Sequence, residues 1–349
     1  MTARISFFQK YLSLWVLLCM ILGVLIGLFI PAFPALLSHL EIAHLSIPMA
    51  VLIWIMIYPM MMKVDFKAVK EVSKNPKGLI VTWIVNWLIK PFTMYGISAF
   101  FLFVLFKGVI APHLATQYLA GAVLLGAAPC TAMVFVWSSL TDGNPAYTVV
   151  QVATNDLIIL VAFVPIVKFL LGVSHVSVPY TTLFLSVFLF VVIPLIGGIF
   201  TRMRVIAKKS EDYFENVFVH KFDSATTIGL LLTLIFIFAS QAQVIVSHPM
   251  HIIYIAIPLI LQTFFIFFIG FLASYLLKLP FDIAAPAGMI GASNFFELAL
   301  AVAIALFGTT SPAALATTVG VLTEVPVMLT LVKIANRSQK YFPTGAKDV

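Results

Sequence analysis

Leu125-Gly126-Ala127-Ala128-Pro129-Cys130 and Ile290-Gly291-Ala292-Ser293-Asn294-Phe295 each set a Gly-Ala pair inside an otherwise apolar run. In the next apolar run after each, Val152-Ala153-Thr154-Asn155 is answered by Val321-Leu322-Thr323-Glu324. The two matches come in the same order, five apolar runs apart. Because five is odd, a chain repeating at that interval re-enters a membrane with opposite polarity, which is the inverted-repeat plan of many secondary transporters. In that plan substrate and coupling ions bind near the bilayer midplane, where corresponding helices are interrupted and freed backbone groups line a cavity. Gly126 with Pro129, and Gly291 with Asn294, are such a pair. Small residues also serve close helix packing, but polar and ionisable neighbours at both places favour a site.

The rest of the chain agrees with a membrane setting. Of 349 residues, 62% are hydrophobic and 9% charged, against roughly 45–50% and roughly 25% in soluble domains, and the mean hydropathy is +1.13. A soluble globular enzyme is excluded. Apolar runs fall at 11–30, 46–62, 78–106, 119–140, 146–172, 180–200, 225–245, 252–277, 284–307 and 313–335, each near the ~20 residues that a crossing needs. The expected fold is an all-α polytopic membrane protein of ten transmembrane helices in two inverted five-helix repeats, 11–172 and 180–335, forming one transporter domain over 1–349. The longest connection, 201–224, reads as a linker or interfacial helix.

Net charge +7 raises the question of nucleic acid, which the location of the bases answers. With the N-terminus inside, the inner segments hold Arg4 and Lys10, the run from Lys63 to Lys77, the run from Arg202 to Lys221, Lys278, and the run from Lys333 to Lys347. Together these are seventeen of the 20 bases. Lys107 and Lys168 remain outside and Lys90 lies within a span. The positive-inside rule therefore places both termini in the cytoplasm of a cytoplasmic (inner) membrane protein, and the basic loops are topology signals rather than a nucleic-acid site.

Ionisable groups inside spans cost roughly 2.5–3.5 kcal/mol each on insertion scales, so each needs a reason. Lys90 sits twelve residues into the third run, about 18 Å along a helix at ~1.5 Å per residue. Two readings stay open for it: a buried salt bridge with an acid, or a resident cation that competes with a proton for the carboxylates. Asp156, beside Asn155, Glu297 just after the second break beside Asn294, and Glu324 before Pro326 are the intramembrane acids. A carboxylate at an interrupted helix is where a carrier loads and releases a proton, and Glu297 is the leading candidate. Cys19, between Leu18 and Met20, fits a small buried hydrophobe. Cys130 follows Pro129 at a break, where its sulfur is either a similar filler or a soft ligand for a thiophilic solute, its thiolate favoured by the next half-helix's dipole.

Catalytic patterns are missing: no Gly-rich phosphate loop, no His-Glu-x-x-His and no Cys-x-x-Cys. No enzyme activity, cofactor or resident metal is expected. All seven histidines, His39, His44, His113, His175, His220, His248 and His251, fall in loops or at span ends, which argues against a histidine proton relay.

Four stretches together resemble a known family. They are Gly126-Ala127-Ala128-Pro129-Cys130-Thr131-Ala132-Met133-Val134-Phe135-Val136-Trp137-Ser138, Val150-Gln151-Val152-Ala153-Thr154-Asn155-Asp156, Ala292-Ser293-Asn294-Phe295-Phe296-Glu297-Leu298-Ala299 and Leu322-Thr323-Glu324-Val325-Pro326-Val327. The chain is similar to the arsenical-resistance-3 family of arsenite efflux permeases, within the bile acid:sodium symporter superfamily, from the Trp15 region to Val327. The resemblance implies fourth and ninth helices that are broken and cross, a core and a panel domain, and export of arsenite, as neutral arsenous acid, in exchange for protons. It maps the family's essential cysteine onto Cys130 and its essential glutamate onto Glu297. Pro129 stands where many members have Arg, a feature of another branch that leaves antimonite open as a substrate. Sodium-coupled bile-acid relatives carry Gln four residues after the glutamate, and here that position is Ala301. A single thiol at the site also suits a carrier, because one ligand captures As(III) reversibly. The rival reading is a sodium-coupled uptake carrier for an organic anion of bile-acid type.

Overall fold

The structure, a computed structural model, describes residues 11–33, 41–42, 45–63, 76–131, 133–174, 176, 178–247 and 249–343. Arg4, Lys10, Lys67, Lys70, Lys74, Lys347, His39, His44, His175 and His248 lie outside the described residues. The architecture is helical. Its elements are α1 (Leu12–Phe29), α2 (Ile47–Met62), α3 (Lys77–Leu105), α4 (Pro112–Ala127), α5 (Met133–Leu140), α6 (Pro145–Val173), α7 (Tyr180–Lys208), α8 (Glu211–Ser240), α9 (Ala242–Ser247), α10 (Met250–Leu276), α11 (Phe281–Ala292), α12 (Phe296–Phe307) and α13 (Pro312–Ser338). Two short strands, β1 (Glu41–Ile42) and β2 (Leu45–Ser46), pair antiparallel with Glu41 opposite Ser46 and Ile42 opposite Leu45.

Among the described residues, six helical runs are long and apolar enough to cross a membrane: α3, α6, α7, α8, α10 and the run from Pro312 to Tyr341. Leu17–Phe29 of α1, α2, α11 and α12 are shorter apolar helices. The chain is thus a polytopic helical membrane protein. α1 and α2 both pack on α8, and α2 also packs on α7. A second group forms around α13, which meets α4, α10 and α12, while α11 lies against α10, α3 and α5. α12 is sunk in this group: every residue from Leu298 to Ile304 is buried, because Ala299, Ala301 and Ala303 let neighbours close in on all sides.

Both interruptions read from the sequence are present, for different local reasons. α4 stops where Ala128 turns extended, with φ −114° and ψ 101°, because the residue before a proline is pushed out of the helical region and Pro129 has no N–H to continue the ladder. α11 stops at Ser293, φ −81° and ψ 148°, with Asn294 next. Ser and Asn side chains compete with the helical ladder by bonding nearby backbone.

α3 is continuous but carries π-helical turns at Ile84–Ile89 and Phe101–Leu105. The first lies just ahead of Pro91. That ring offers no N–H to the Trp87 carbonyl and crowds it, and the ladder widens so that the Lys90 N–H reaches the Val85 carbonyl. Widened turns of this kind concentrate at functional positions.

Of the two readings of 201–224, the linker is the one corrected, because the segment is helical: α7 runs on to Lys208 and α8 begins at Glu211. Ser210 caps the new helix by accepting from the Tyr213 N–H at 3.0 Å. Arg202 reaches Glu211 at 3.3 Å and Glu215 at 3.2 Å, so these charges stitch two helix ends together instead of marking loop.

Gly121 fixes where the broken α4 sits on α13. A Cβ there would lie 2.5 Å from the Ala313 carbonyl oxygen and 2.7 Å from the Ala316 Cβ. Gly121→Val should destabilise the protein by ~1–3 kcal/mol, the usual cost of overpacking a closed contact. The check is a lowered thermal unfolding midpoint of the detergent-purified protein, with Gly96→Val as the control, since a Cβ at Gly96 meets nothing within 4 Å.

Candidate functional site

The two breaks meet. Pro129 and Asn294 face each other as an antiparallel bridge, and the Phe295 N–H donates to the Ala128 carbonyl at 2.7 Å. A backbone group freed by one interruption thus satisfies one freed by the other, as an apolar surrounding requires. Two helix C-termini, of α4 and α11, and two N-termini, of α5 and α12, converge here. Each end carries roughly half a unit of charge, negative at the C-termini and positive at the N-termini.

Side chains from α3 and α13 complete the junction. Lys90 is 0% exposed, and its Nζ donates to the Ser293 carbonyl at 2.6 Å. Glu324 Oε1 accepts from the Ser293 hydroxyl at 2.5 Å and from the Asn294 N–H at 3.3 Å. Lys90 lies within electrostatic range of Glu324 and of Cys130, and Glu297 within range of Glu324. Among the described residues Lys90 makes no direct ion pair with an acid. Ser293 links ammonium and carboxylate, bonding one through its carbonyl and the other through its hydroxyl. Gln262 on α10 holds Lys90 in register from behind, its Nε2 donating to the Lys90 carbonyl at 3.3 Å and to Thr93 Oγ1 at 3.2 Å.

Cys130 is 4% exposed and packs with Leu79, Val134, Tyr147, Val150 and Ile290. Neither cysteine is in a disulfide. Cys19 sits on α1, among the helices of the other group. Glu297 occupies the first turn of α12, where the helix dipole favours a carboxylate. Both Glu297 and Glu324 are partly exposed, whereas Ser293 and Asn294 beside them are buried. Asn294 is buried, and its Oδ1 finds no partner among the described residues.

Among the described residues, neither Asn155 nor Asp156 hydrogen-bonds to these groups. Asn155 accepts from Trp87 Nε1 at 3.1 Å and, with the bond from Trp83 Nε1 to Thr154 Oγ1 at 3.1 Å, ties α6 to α3. Asp156 beside it is wholly buried, with no hydrogen-bond partner for either carboxylate oxygen among the described residues. The sequence reading overlooked Asn86, Trp87 and Gln262. Asn86 is buried one turn before Lys90, with no partner for either amide atom among the described residues. An uncharged amide stands out less than a charge in an apolar run, yet a buried amide with open valences is an equally strong sign of a polar cavity.

Two helix breaks that meet beside ionisable groups within a helical membrane protein are the arrangement that many secondary transporters use. The sequence pattern of the Sodium Bile acid symporter family matches residues 50–248. Over 344 residues the chain is 62% identical to the protein of Alkaliphilus metalliredigens (strain QYMF) named Arsenical-resistance protein Acr3, covering 99% of this chain and 96% of that one. It is 34% identical to the Arsenical-resistance protein Acr3 of Corynebacterium glutamicum, over 95% of this chain and 89% of that one. A Bacillus subtilis (strain 168) protein named Uncharacterized sodium-dependent transporter YocS is 24% identical over 82% and 80%. The chain belongs to the Sodium Bile acid symporter family, and within it to the Acr3 arsenical-resistance proteins.

Proposed function

We propose that this chain is a secondary carrier that exports arsenite from the cytoplasm in exchange for protons, with antimonite as a further substrate, and so confers arsenic resistance. Cys130 binds the metalloid through sulfur and Glu297 carries the exchanged proton, with Glu324, Asn294 and Lys90 around them and Asn155 and Asp156 along the pathway. The observation that carries this reading is the bridge between Pro129 and Asn294, which brings a soft ligand and two partly exposed carboxylates together. The identity to proteins named for arsenical resistance supports the substrate.

The chain forms ten transmembrane helices in two inverted repeats, 11–172 and 180–335, with α4 and α5, and α11 and α12, as the halves of the broken fourth and ninth spans. Contacts at the helix ends support this arrangement. The Asn144 N–H donates to the Asp282 carbonyl at 2.8 Å and Asn336 Nδ2 to the Leu140 carbonyl at 2.9 Å, which groups three ends on the face assigned to the cytoplasm. On the opposite face Tyr118 Oη meets His251 Nδ1 at 2.9 Å and Gln241 Nε2 donates to the Ser311 carbonyl at 2.9 Å.

Both termini lie in the cytoplasm of the inner membrane. A Lys208→Cys protein should react with an impermeant thiol reagent from the cytoplasmic side only, and a His113→Cys protein from outside only. Labelling of Lys208→Cys from outside would overturn the inverted repeat.

The function itself is tested by arsenite accumulation in everted membrane vesicles, which take up an exported solute. Uptake driven by an imposed proton gradient and abolished by a protonophore is expected. Uptake driven by sodium alone would promote the sodium-coupled organic-anion carrier instead.

A further inference from the structure

Lys90 lies where the two breaks meet, yet in the proposed exchange it neither binds the metalloid nor carries the proton. An ammonium in the bilayer core is costly, and persists only where acceptors and negative charge offset its lost hydration. Here the offset is specific. Its Nζ donates to the Ser293 carbonyl at 2.6 Å, and Ser293 is the C-cap of α11, the negative end of that half-helix's dipole. Glu324, on the far side of Ser293, adds a carboxylate within electrostatic range. Carriers built from broken helices hold their coupling cation on freed carbonyls and at the C-terminal ends of half-helices. In this chain an amino group tethered to α3 already sits on that carbonyl. The π turn ahead of Lys90 and the Gln262 bond to its carbonyl hold the tether at the depth of the crossing.

We propose that Lys90 is a built-in cation filling the seat at the end of α11, so that the carrier cycles without binding sodium or another alkali ion, and that the seat opens to a free cation once the ammonium is removed. This inference rests on the reading of the chain as a proton-exchanging arsenite carrier. A merely structural lysine makes a different prediction, because any donor to the Ser293 carbonyl would then replace it.

The test measures proton-driven arsenite uptake in everted vesicles carrying wild-type, Lys90→Ala or Lys90→Gln protein, in sodium-free medium with N-methylglucamine as the cation and again with sodium or ethylammonium added. Wild-type uptake should be the same in all media. Both variants should fall by about tenfold or more in sodium-free medium, the scale of losing a hydrogen bond made by a charged group. Sodium or ethylammonium should then restore Lys90→Ala several-fold, and sodium should raise the unfolding temperature of that variant but not of the wild type.

Wild-type rates for Lys90→Gln in sodium-free medium would overturn the inference, as would Lys90→Ala protein that no cation restores. If neither variant accumulates in membranes, recovery of accumulation by sodium in the growth medium supports the proposal and indifference to sodium counts against it. Sodium-driven uptake by the wild type would sink the proton-exchange reading itself. Proton-driven wild-type uptake with variants that ignore every cation sinks the tethered-cation inference alone.

Discussion

Cys130→Ser should reduce arsenite uptake by everted vesicles to the background of membranes lacking the protein, while Cys19→Ser stays close to the wild-type rate at equal expression. The two thiols are both buried, so burial does not separate them; position does. Cys130 follows the Pro129 that bridges to Asn294 and lies within electrostatic range of Lys90, whereas Cys19 packs in α1. Serine keeps the shape and a hydroxyl but gives up the soft, polarizable sulfur that a thiophilic metalloid selects. Equal loss from both replacements would remove Cys130 from the site.

Glu297→Gln is expected to have an effect of comparable size, on a different quantity. Glutamine preserves length and hydrogen bonding but does not exchange a proton, so uptake driven by a pH gradient should vanish while arsenite still protects Cys130 from alkylation. Asp156→Asn, at a carboxylate with no hydrogen-bond partner among the described residues, should cost less. If neutral arsenous acid leaves as one proton enters, each cycle carries one positive charge inward. An inside-negative potential then drives export with roughly 2.3 kcal/mol per charge per 100 mV. A Glu297→Gln protein that still responds to the pH gradient would move the proton site elsewhere, with Glu324 next.

The sequence made the breaks legible because each is written in local chemistry: Pro129 after Ala128 in the first, Ser293-Asn294 in the second. It also placed the acids and Lys90 in the membrane, since a charge in an apolar run is conspicuous. It did not show which partners these groups would find. Helices that are apolar all round have no polar face to orient them, so nothing in α13 said that Glu324 would turn toward Ser293 and not toward Lys90 directly. The relay through Ser293 depends on where α3 crosses the end of α11, a tertiary fact. Asn86 and Gln262 were overlooked because an amide leaves a weak trace in hydropathy. The segment 201–224 stayed open between linker and helix for the opposite reason: its charges resemble loop, yet the Ser210 cap and the contacts of Arg202 with Glu211 and Glu215 keep it helical.

The central claim is that the crossing exchanges arsenite for protons, and the decisive measurement separates the two candidate driving ions in one preparation. Everted vesicles containing the wild-type protein are given arsenite with a proton gradient and no sodium, or with a sodium gradient at equal pH on both sides. Accumulation in the first condition, collapsing on addition of a protonophore and absent from the Glu297→Gln protein, is the result expected from the geometry at Pro129, Asn294 and Glu297. Accumulation in the second condition alone, indifferent to the protonophore, would contradict it.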